Sequence, residues 1–402
     1  MTPPVSADQR KSALLVERKV HIPFHRPSLG EDEVRAVADV VRSGWLTTGP
    51  RCIEFEEKFA HKIGVKHALA VSSCTAALHL ALEALGIGAG DEVLVPTLTF
   101  AATAEVVAYL KAKPVLVDSE PSFLQIDIRD AERKITSRTR AIIPVHFAGA
   151  CADMSSVTEF AAAHKLHVVE DAAHAFPASY KGRMVGTISP ITAFSFYATK
   201  TITTGEGGMV VTNSDELASR MRTMRLHGMS RDAWKRYAAG GTWRYELLDA
   251  GFKYNLTDLQ AALGIVQLAR AEVLRNEREA IAARYTDRLA GCDALTLPST
   301  PVDQTHAWHL YVICVNTEVI CAGRDQIIDE LQELGIGTAV HFIPLHYHPY
   351  YQSRWNYRIG DFPIAERYFD RCISLPLFPG MTVDEIDYVV DTLRRLTTKY
   401  RR

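Results

Sequence analysis

From about residue 67 onward, the chain alternates short runs of β-branched and apolar residues with stretches of helical periodicity. This alternation is typical of an α/β protein whose largely parallel sheet is covered by helices on both faces. We predict strands over HALAVS, DEVLVP, PVLVD, AIIPVHF, LHVVED and AFSFYA, and helices over CTAALHLALEAL and FAATAEVVAYL. In such sheets the ligand site lies at the carboxyl ends of the strands. Polar residues at those ends are therefore the candidates for chemistry.

The pattern changes towards the C-terminus. A long amphipathic stretch from Leu256 to about Leu289 predicts a helix, continuous or broken, that leaves the sheet. After Pro301 the units become shorter, with HLYVICV and TAVHF as predicted strands and RDQIIDELQELG and DEIDYVVDTLRRL as helices. At roughly 150 residues per domain, 402 residues suggest two or three units. We expect a flexible tail over 1–20, a large domain over 21–270 and a small α+β domain over 271–402.

Composition excludes several functional classes. The net charge of -2 provides no overall field to attract nucleic acid or an anionic membrane. Since no apolar run reaches the roughly 18 residues of a membrane span, we expect no membrane insertion. The seven cysteines are odd in number and contain no CxxC pair, which argues against a disulfide framework or a zinc site. Reduced thiols in a cytoplasmic protein are the simpler interpretation.

The segment from Ser73 to Ala76 joins a predicted strand to a predicted helix. The first N–H groups of a helix are free and carry partial positive charge, so a phosphate can bind there. The hydroxyl of Thr75 is a further candidate contact. Taken alone, the segment is better explained as an ordinary N-cap, which serine and threonine favour.

Asp171 follows an apolar strand, where a carboxylate is costly to bury unless it is paired. A protonated pyridine nitrogen is a suitable partner, because the contact keeps the ring an electron sink. His174 follows three residues later and is a candidate for contact with the same ring. The alternative is a capping aspartate with an incidental histidine.

Lys200 lies in the segment FSFYATK, before the glycine-rich TGEGG. A lysine in a partly apolar pocket loses proton affinity and becomes nucleophilic, as Schiff-base formation requires. Ser195 offers a hydroxyl to a phosphate, and Phe100 is a candidate platform for an aromatic ligand. Alone, Lys200 is more simply a surface lysine and Phe100 a core aromatic, but together these residues predict one pyridoxal-phosphate (PLP) site.

Several segments in order resemble the DegT/DnrJ/EryC1/StrS family of nucleotide-sugar aminotransferases, from about residue 23 to 379. The segments are SGWLTTGP, VSSCTAALHLAL, PTLTFAATA, PVHFAG, VEDAAHAFPASYKGRMVGT, FSFYATKTITTGEGG, GFKYNLTDLQAALG and SLPLFPGMT. Within the family, HAWHLYVI and GIGTAVHF most resemble the UDP-4-amino-4-deoxy-L-arabinose aminotransferase branch. The resemblance implies the fold-type-I PLP architecture: a mixed, mostly parallel seven-stranded sheet in a large domain, a small C-terminal domain, and a homodimer with shared active sites.

The resemblance also implies roles for individual residues. Lys200 would form the Schiff base with PLP and Asp171 would pair with the pyridine nitrogen. The other cofactor contacts implied are Thr75, Ala76 and Ser195 at the phosphate and Phe100 and His174 at the ring.

In the GFKYN segment, Lys253 and Asn255 stand where many members have Asn and Arg. We favour Asn255 as the residue that reaches the phosphate in the partner subunit. Thr47, Thr48, His341 and Phe342 match regions that border the sugar nucleotide. A metal site formed by His341, His346 and His348 is a weaker alternative, because no carboxylate or cysteine joins them in sequence.

The implied reaction is transfer of an amino group from L-glutamate, which leaves as 2-oxoglutarate, to a keto carbon of a nucleotide-linked sugar. We favour C4 of a UDP-linked 4-keto sugar, 6-deoxy or not, with dTDP- or GDP-4-keto-6-deoxyhexoses and 3-keto sugars as alternatives. A sugar 3-dehydratase is disfavoured because position 200 is lysine. A non-catalytic PLP-fold regulator is a further alternative. A nicotinamide-dependent enzyme is disfavoured because TGEGG is not GxGxxG.

Overall fold

The computed structural model describes residues 21–230 and 245–402, so the predicted tail over 1–20 lies outside the described residues. The strands are β1 (His67–Val71), β2 (Glu92–Pro96), β3 (Lys113–Val117), β4 (Thr139–Ile142), β5 (His167–Asp171), β6 (Ser179–Tyr180), β7 (Arg183–Met184), β8 (Ile191–Ser195), β9 (Gly208–Thr212), β10 (Leu295–Thr296), β11 (Gln304–Thr305), β12 (Tyr311–Val315) and β13 (Cys372–Leu375).

The helices precede, separate and follow these strands. They are α1 (Glu31–Ser43), α2 (Pro50–Ile63), α3 (Cys74–Ala84), α4 (Ala102–Tyr109), α5 (Ile128–Lys134), α6 (Met154–His164), α7 (Asp215–Met224), α8 (Asp258–Ala269), α9 (Ala271–Leu289), α10 (Arg324–Glu333), α11 (Pro349–Trp355), α12 (Pro363–Phe369) and α13 (Val383–Lys399). Short 3-10 turns occupy Phe147–Gly149 and Leu345–Tyr347.

The main sheet has seven strands in the order β1-β9-β8-β5-β4-β2-β3. The five strands from β8 to β3 are parallel, whereas β9 is antiparallel to both of its neighbours, β8 and β1. Six strands therefore run in one direction, and their carboxyl ends meet at one edge of the sheet. The predicted mixed, mostly parallel seven-stranded sheet is confirmed.

Both faces of the sheet are buried, which explains why its strands are apolar runs rather than alternating patterns. Ala68 and Ala70 of β1 face a cluster with α2, α6 and α8, in which Phe59 contacts Phe194 and Phe196. The intervening β1 residues face a second cluster with α3, α4 and α7. Helices on both faces thus hold the carboxyl edge rigidly.

A third hydrophobic cluster joins α9 and α13 to β12 and β13, and it includes Ile22 from the start of the described chain. The predicted long helix is broken at Arg270, between α8 and α9. This break coincides with the predicted domain boundary, although the division into two domains stays a prediction.

The predicted strand over TAVHF is wrong. In this segment only Ala339 pairs, in a single bridge with Ser374. The backbone then turns away, because His341 bonds the Ser374 hydroxyl and Phe342 packs against His174. The segment therefore contributes side chains to the carboxyl edge of the large sheet instead of extending the small one.

Across the described ranges, no helix combines the length and apolar character needed to cross a membrane. All seven cysteines of the chain are free thiols.

Candidate active site

The first turn of α3 lies directly against the start of β9. A Cβ on Gly208 would meet the backbone carbonyl carbon of Ser73 at 2.6 Å and the nitrogen of Cys74 at 2.7 Å, so only glycine permits this approach. Gly208 is also the register partner of Ser195 at the end of β8. The beginning of α3 and the Ser195 hydroxyl therefore belong to one small region of the edge.

Ser73 is the N-cap of α3, and its side chain accepts a hydrogen bond of 3.0 Å from the Ala76 nitrogen. The N-cap interpretation of this segment therefore holds, and the N–H of Ala76 is engaged. The 11-residue helix still directs the positive end of its dipole at the site. Contacts of Thr75 and Ala76 with a phosphate stay a prediction.

The carboxylate of Asp171 is buried at the end of β5. It accepts hydrogen bonds from the Thr103 hydroxyl at 2.8 Å and from the Ala173 nitrogen at 3.1 Å. Burial raises the pKa of Asp171, while these two donors and the charge of Lys200 act in the opposite direction. The side chain is thus an acceptor held in place before any ligand binds.

Sequence reasoning missed Thr103. Because its only hydroxyl proton goes to Asp171, Thr99 must be the donor in the 2.8 Å contact between the two threonines. The hydroxyls lie at the start of α4, which follows β2, and β2 is not a neighbour of β5 in the sheet. Only the position of Thr103 three residues after the proposed platform, Phe100, hinted at a role in the site.

Lys200 lies on the loop between β8 and β9, and its Nζ is 3.3 Å from Nε2 of His309. Burial lowers the pKa of Lys200 to about 8, and the charge of Arg278 acts in the same direction. The charge of Asp171 opposes this effect. A lysine in this state supplies a substantial fraction of free amine near neutral pH, which a nucleophile and proton carrier requires.

His309 was also missed, although the segment HAWHLYVI had been singled out. Its ring centroid lies 4.3 Å from that of His174, and burial lowers the pKa of both imidazoles well below the usual value. His174 accepts a hydrogen bond of 3.3 Å from the Ala148 nitrogen through Nδ1. The Nδ1 atom of His309 is buried without a hydrogen-bond partner. Two neutral imidazoles therefore adjoin the lysine.

Aromatic side chains cover this group. The ring of Phe342 lies 5.8 Å from that of His174 and 6.0 Å from that of Phe100. Phe100 is 62% exposed, so it is not a core aromatic and a flat ligand could lie against it. The structure therefore groups Phe100, His174 and Phe342 in one wall of the site.

The histidines proposed as an alternative metal site have other partners. His346 is fully buried and contacts Thr97 at 2.8 Å and Glu366 at 2.9 Å. His341 contacts Ser374 at 2.8 Å. Within the described part of the chain, no three potential metal ligands converge. His346 instead fastens its segment to the end of β2.

Thr48 and Asn255 contact each other, and Asn255 lies beside the end of β1, where its backbone bridges Val71. The Asn255 amide donates to the Thr48 hydroxyl at 2.7 Å, and both residues line a cleft of about 680 Å³. The residues lining this cleft do not include any that line the small cavity around Lys200. Thr47 is exposed, and its carbonyl accepts from the Asp258 nitrogen. These three residues are therefore not among those that line the cavity around Lys200.

The groups at the sheet edge fit a PLP molecule. A helix N-terminus beside the Ser195 hydroxyl suits its phosphate, and the buried carboxylate of Asp171 suits its basic ring nitrogen. The amine of Lys200 suits its aldehyde. The unpartnered Nδ1 of His309 shows that the polar groups of the site are not all satisfied by the protein alone.

The chain belongs to the DegT/DnrJ/EryC1/StrS aminotransferase family, which it matches over residues 27–394. It is 47% identical over 382 residues to the spore coat polysaccharide biosynthesis protein SpsC of Bacillus subtilis, with 94% of this chain and 98% of that protein covered.

Two solved structures are also similar to this chain. The PLP form of the putative sugar aminotransferase Spr1654 from Streptococcus pneumoniae matches with a TM-score of 0.89 and 32% identity, covering 94% of this chain and 99% of that one. PseC of Helicobacter pylori, an aminotransferase involved in the biosynthesis of pseudoaminic acid, matches with a TM-score of 0.88 and 29% identity, covering 95% and 100%. This chain is a PLP-dependent sugar aminotransferase with the fold-type-I architecture.

The Thr103→Val variant should raise the pKa of Asp171 further, because a hydrogen bond to the ionised carboxylate is lost. The measurement is a carbon-13 NMR titration of the apoprotein labelled at the aspartate carboxyl carbons, with Asp171→Asn assigning the resonance. Thr192→Val is the matched control, because Thr192 is equally buried but donates to Glu170. An Asp171 titration unchanged by Thr103→Val would contradict the role assigned to this hydrogen bond.

Proposed function

We propose that this enzyme transfers the amino group of L-glutamate to C4 of a UDP-linked 4-keto sugar, 6-deoxy or not. The observation that carries the chemical part is the amine of Lys200, whose pKa is lowered to about 8, beside the neutral imidazole of His309 and the buried carboxylate of Asp171. The products are 2-oxoglutarate and a 4-amino sugar nucleotide.

In this proposal each group at the sheet edge holds one part of the cofactor. Asp171 would keep the pyridine nitrogen protonated, and Ser195 would bind the phosphate together with Thr75 and Ala76 of α3. Phe100 and His174 contact the ring. When bound, PLP supplies an electron sink for bond changes at the carbon that carries the amino group.

Lys200 moves the proton. Its Nζ removes a proton from the α-carbon of glutamate and later delivers one to the sugar carbon that becomes aminated. His309 is near enough to hold Nζ in position during both transfers. Glutamate leaves as 2-oxoglutarate before the keto sugar enters, so one lysine serves both halves of the reaction.

The proposal for the acceptor rests on the sequence resemblance and on the relatives. SpsC acts in spore coat polysaccharide biosynthesis and PseC in the biosynthesis of pseudoaminic acid, so sugar modification for a surface polymer is a suitable setting. We propose that the enzyme acts in the cytoplasm, in the biosynthesis of an amino sugar for a surface polysaccharide, lipid A or glycan. Phe342 and His341, which adjoin the Lys200 group, are proposed to contact the sugar nucleotide, and Thr47 and Thr48 to border it from the partner subunit.

We further propose a homodimer with shared active sites. Its support is that Asn255 and Thr48 line a cleft that shares no residue with the cavity around Lys200. Exposed apolar side chains near these two places provide surface for a second copy, among them Leu46, Ile53, Phe100 and Tyr197. In the dimer, Asn255 would reach the phosphate bound by the partner.

Lys200→Ala should lower turnover by at least about a thousandfold, because nucleophile and proton carrier are lost together. The measurement is the rate of 2-oxoglutarate release in a single turnover of PLP-loaded protein with glutamate. Lys58→Ala is a suitable control, since Lys58 is an exposed helical lysine paired with Glu54. Normal turnover by Lys200→Ala would exclude the proposed mechanism.

The acceptor should be identified by a panel of UDP-, dTDP- and GDP-linked 4-keto sugars, each incubated with glutamate and enzyme. We expect the UDP sugar to give the highest kcat/KM, and NMR of its product to show nitrogen at C4. Preference for a dTDP or GDP sugar, or nitrogen at C3, would replace the proposed acceptor. If no keto sugar of the panel is aminated, the proposed function fails.

Shared active sites predict complementation between the variants Lys200→Ala and Asn255→Ala. The two proteins are mixed at limiting PLP, under conditions in which dimers exchange subunits. Half of a random mixture is hybrid dimer with one intact site in two, so about a quarter of the parent activity should return. Solution mass should be about twice the 44.6 kDa of the chain. A fully active monomer, or no recovery in the mixture, would contradict shared sites.

A further inference from the structure

Arg278, in the middle of α9, is 1% exposed and carries its charge inside the protein. Its Nη1 donates to the carbonyls of Leu377 at 3.0 Å, His309 at 3.3 Å and Trp308 at 3.4 Å. Its Nη2 donates to the carbonyl of Thr199 at 3.5 Å. These carbonyls are its only acceptors among residues 21–230 and 245–402, where no carboxylate pairs with it.

A buried guanidinium without a carboxylate is expensive. Burial lowers the pKa of Arg278 to about 10, so it remains charged at neutral pH, and its Nε atom has no partner. Carbonyl dipoles offset only part of the cost of desolvating a cation, and an apolar side chain of similar volume would often stabilise the fold more. Packing alone therefore does not account for an arginine here.

Two of the carbonyls that accept hydrogen bonds from Arg278 belong to segments of the proposed active site. Thr199 immediately precedes Lys200, and His309 is the residue whose ring contacts the amine of Lys200. The planar guanidinium group of Arg278, called the fork below, thus binds the backbone of two segments. These are the segments that meet in the contact between Lys200 and His309. Its bond to Leu377 fixes the same fork to the C-terminal part of the chain.

We propose that Arg278 is a positioning residue of the active site, which holds the Lys200 segment and the His309 segment in register and keeps a positive charge beside their side chains. The proposal rests on the proposed role of Lys200. It assigns Arg278 no contact with the cofactor or the substrate.

The charge of Arg278 has a defined direction of effect. It lowers the pKa of Lys200, of His309 and of His25, whose Nε2 contacts the Ala198 carbonyl. Around Lys200, Asp171 and Cys74 act in the opposite direction. A positive charge disfavours an ammonium ion, so removing Arg278 should raise the pKa of Lys200 and leave less free amine near neutral pH.

The test measures Lys200 directly. In the apoprotein, brief competitive labelling with acetic anhydride at a series of pH values, followed by mass spectrometry of the peptide containing Lys200, gives the pKa of its amine. We expect a value of about 8 in the parent and a higher value in Arg278→Met. In Arg278→Lys, which keeps the charge but not the fork, the pKa should stay near that of the parent.

The second readout is the single-turnover reaction of PLP-loaded protein with glutamate. Loss of the fork should slow it about tenfold in both variants at their best pH, since the lysine is less well oriented. In Arg278→Met the whole pH profile should also move to higher pH. Arg284→Met is the matched control on the same helix, where Arg284 pairs with Asp387 at the surface, and it should change neither readout.

An unchanged Lys200 pKa and an unchanged pH profile in folded Arg278→Met would overturn the proposal, because a purely structural arginine would alter melting temperature alone. If Arg278→Met does not fold, Arg278→Lys decides: a slower reaction at normal melting temperature supports the proposal, and a normal rate overturns it. Labelling of the apoprotein does not depend on turnover. Failure of the proposed reaction and failure of this assignment are therefore distinguishable.

Discussion

The burial of one negative charge, on Asp171, sets the conditions for the rest of the site. A carboxylate that is 4% exposed at the end of a central strand needs hydrogen-bond donors, and the Thr103 hydroxyl and the Ala173 nitrogen provide them, while the charge of Lys200 favours the ionised form. The register of β5 with β8 then fixes how far Ser195 lies from this carboxylate. The geometry of the edge is thus determined by strand pairing, not by mobile loops.

Burial affects the basic groups in the opposite sense. Desolvation raises the pKa of Asp171 but lowers that of Lys200, His174 and His309, because in each case it disfavours the charged form. The same enclosed environment therefore favours uncharged bases beside the carboxylate. An enzyme that moves protons between carbon and nitrogen needs such bases, and this protein obtains them from packing that is already required by the fold.

The sheet and most helices were predictable, since apolar runs and helical periodicity depend only on local sequence. The candidate residues at strand ends, Lys200, Asp171 and Ser195, were accessible for the same reason. Thr103, His309 and Arg278 were not, because each acts through a partner remote in sequence that only strand order and helix packing bring close. The wrong prediction of a strand over TAVHF has the same cause. The local pattern favours a strand, but Phe342 makes tertiary contacts with a residue remote in sequence.

The single reversed strand, β9, has a consequence for how this protein can change over evolutionary time. Because β8 and β9 pair as an antiparallel hairpin, the loop that carries Lys200 is fastened at both ends, with Phe196 bonded to Gly207 and Thr204 bonded to Phe196. An insertion there would displace Gly208 from α3 and disturb the chemistry. The segment around His341 has only one bridge, between Ala339 and Ser374, so its backbone tolerates a change of length more readily than the loop that carries Lys200.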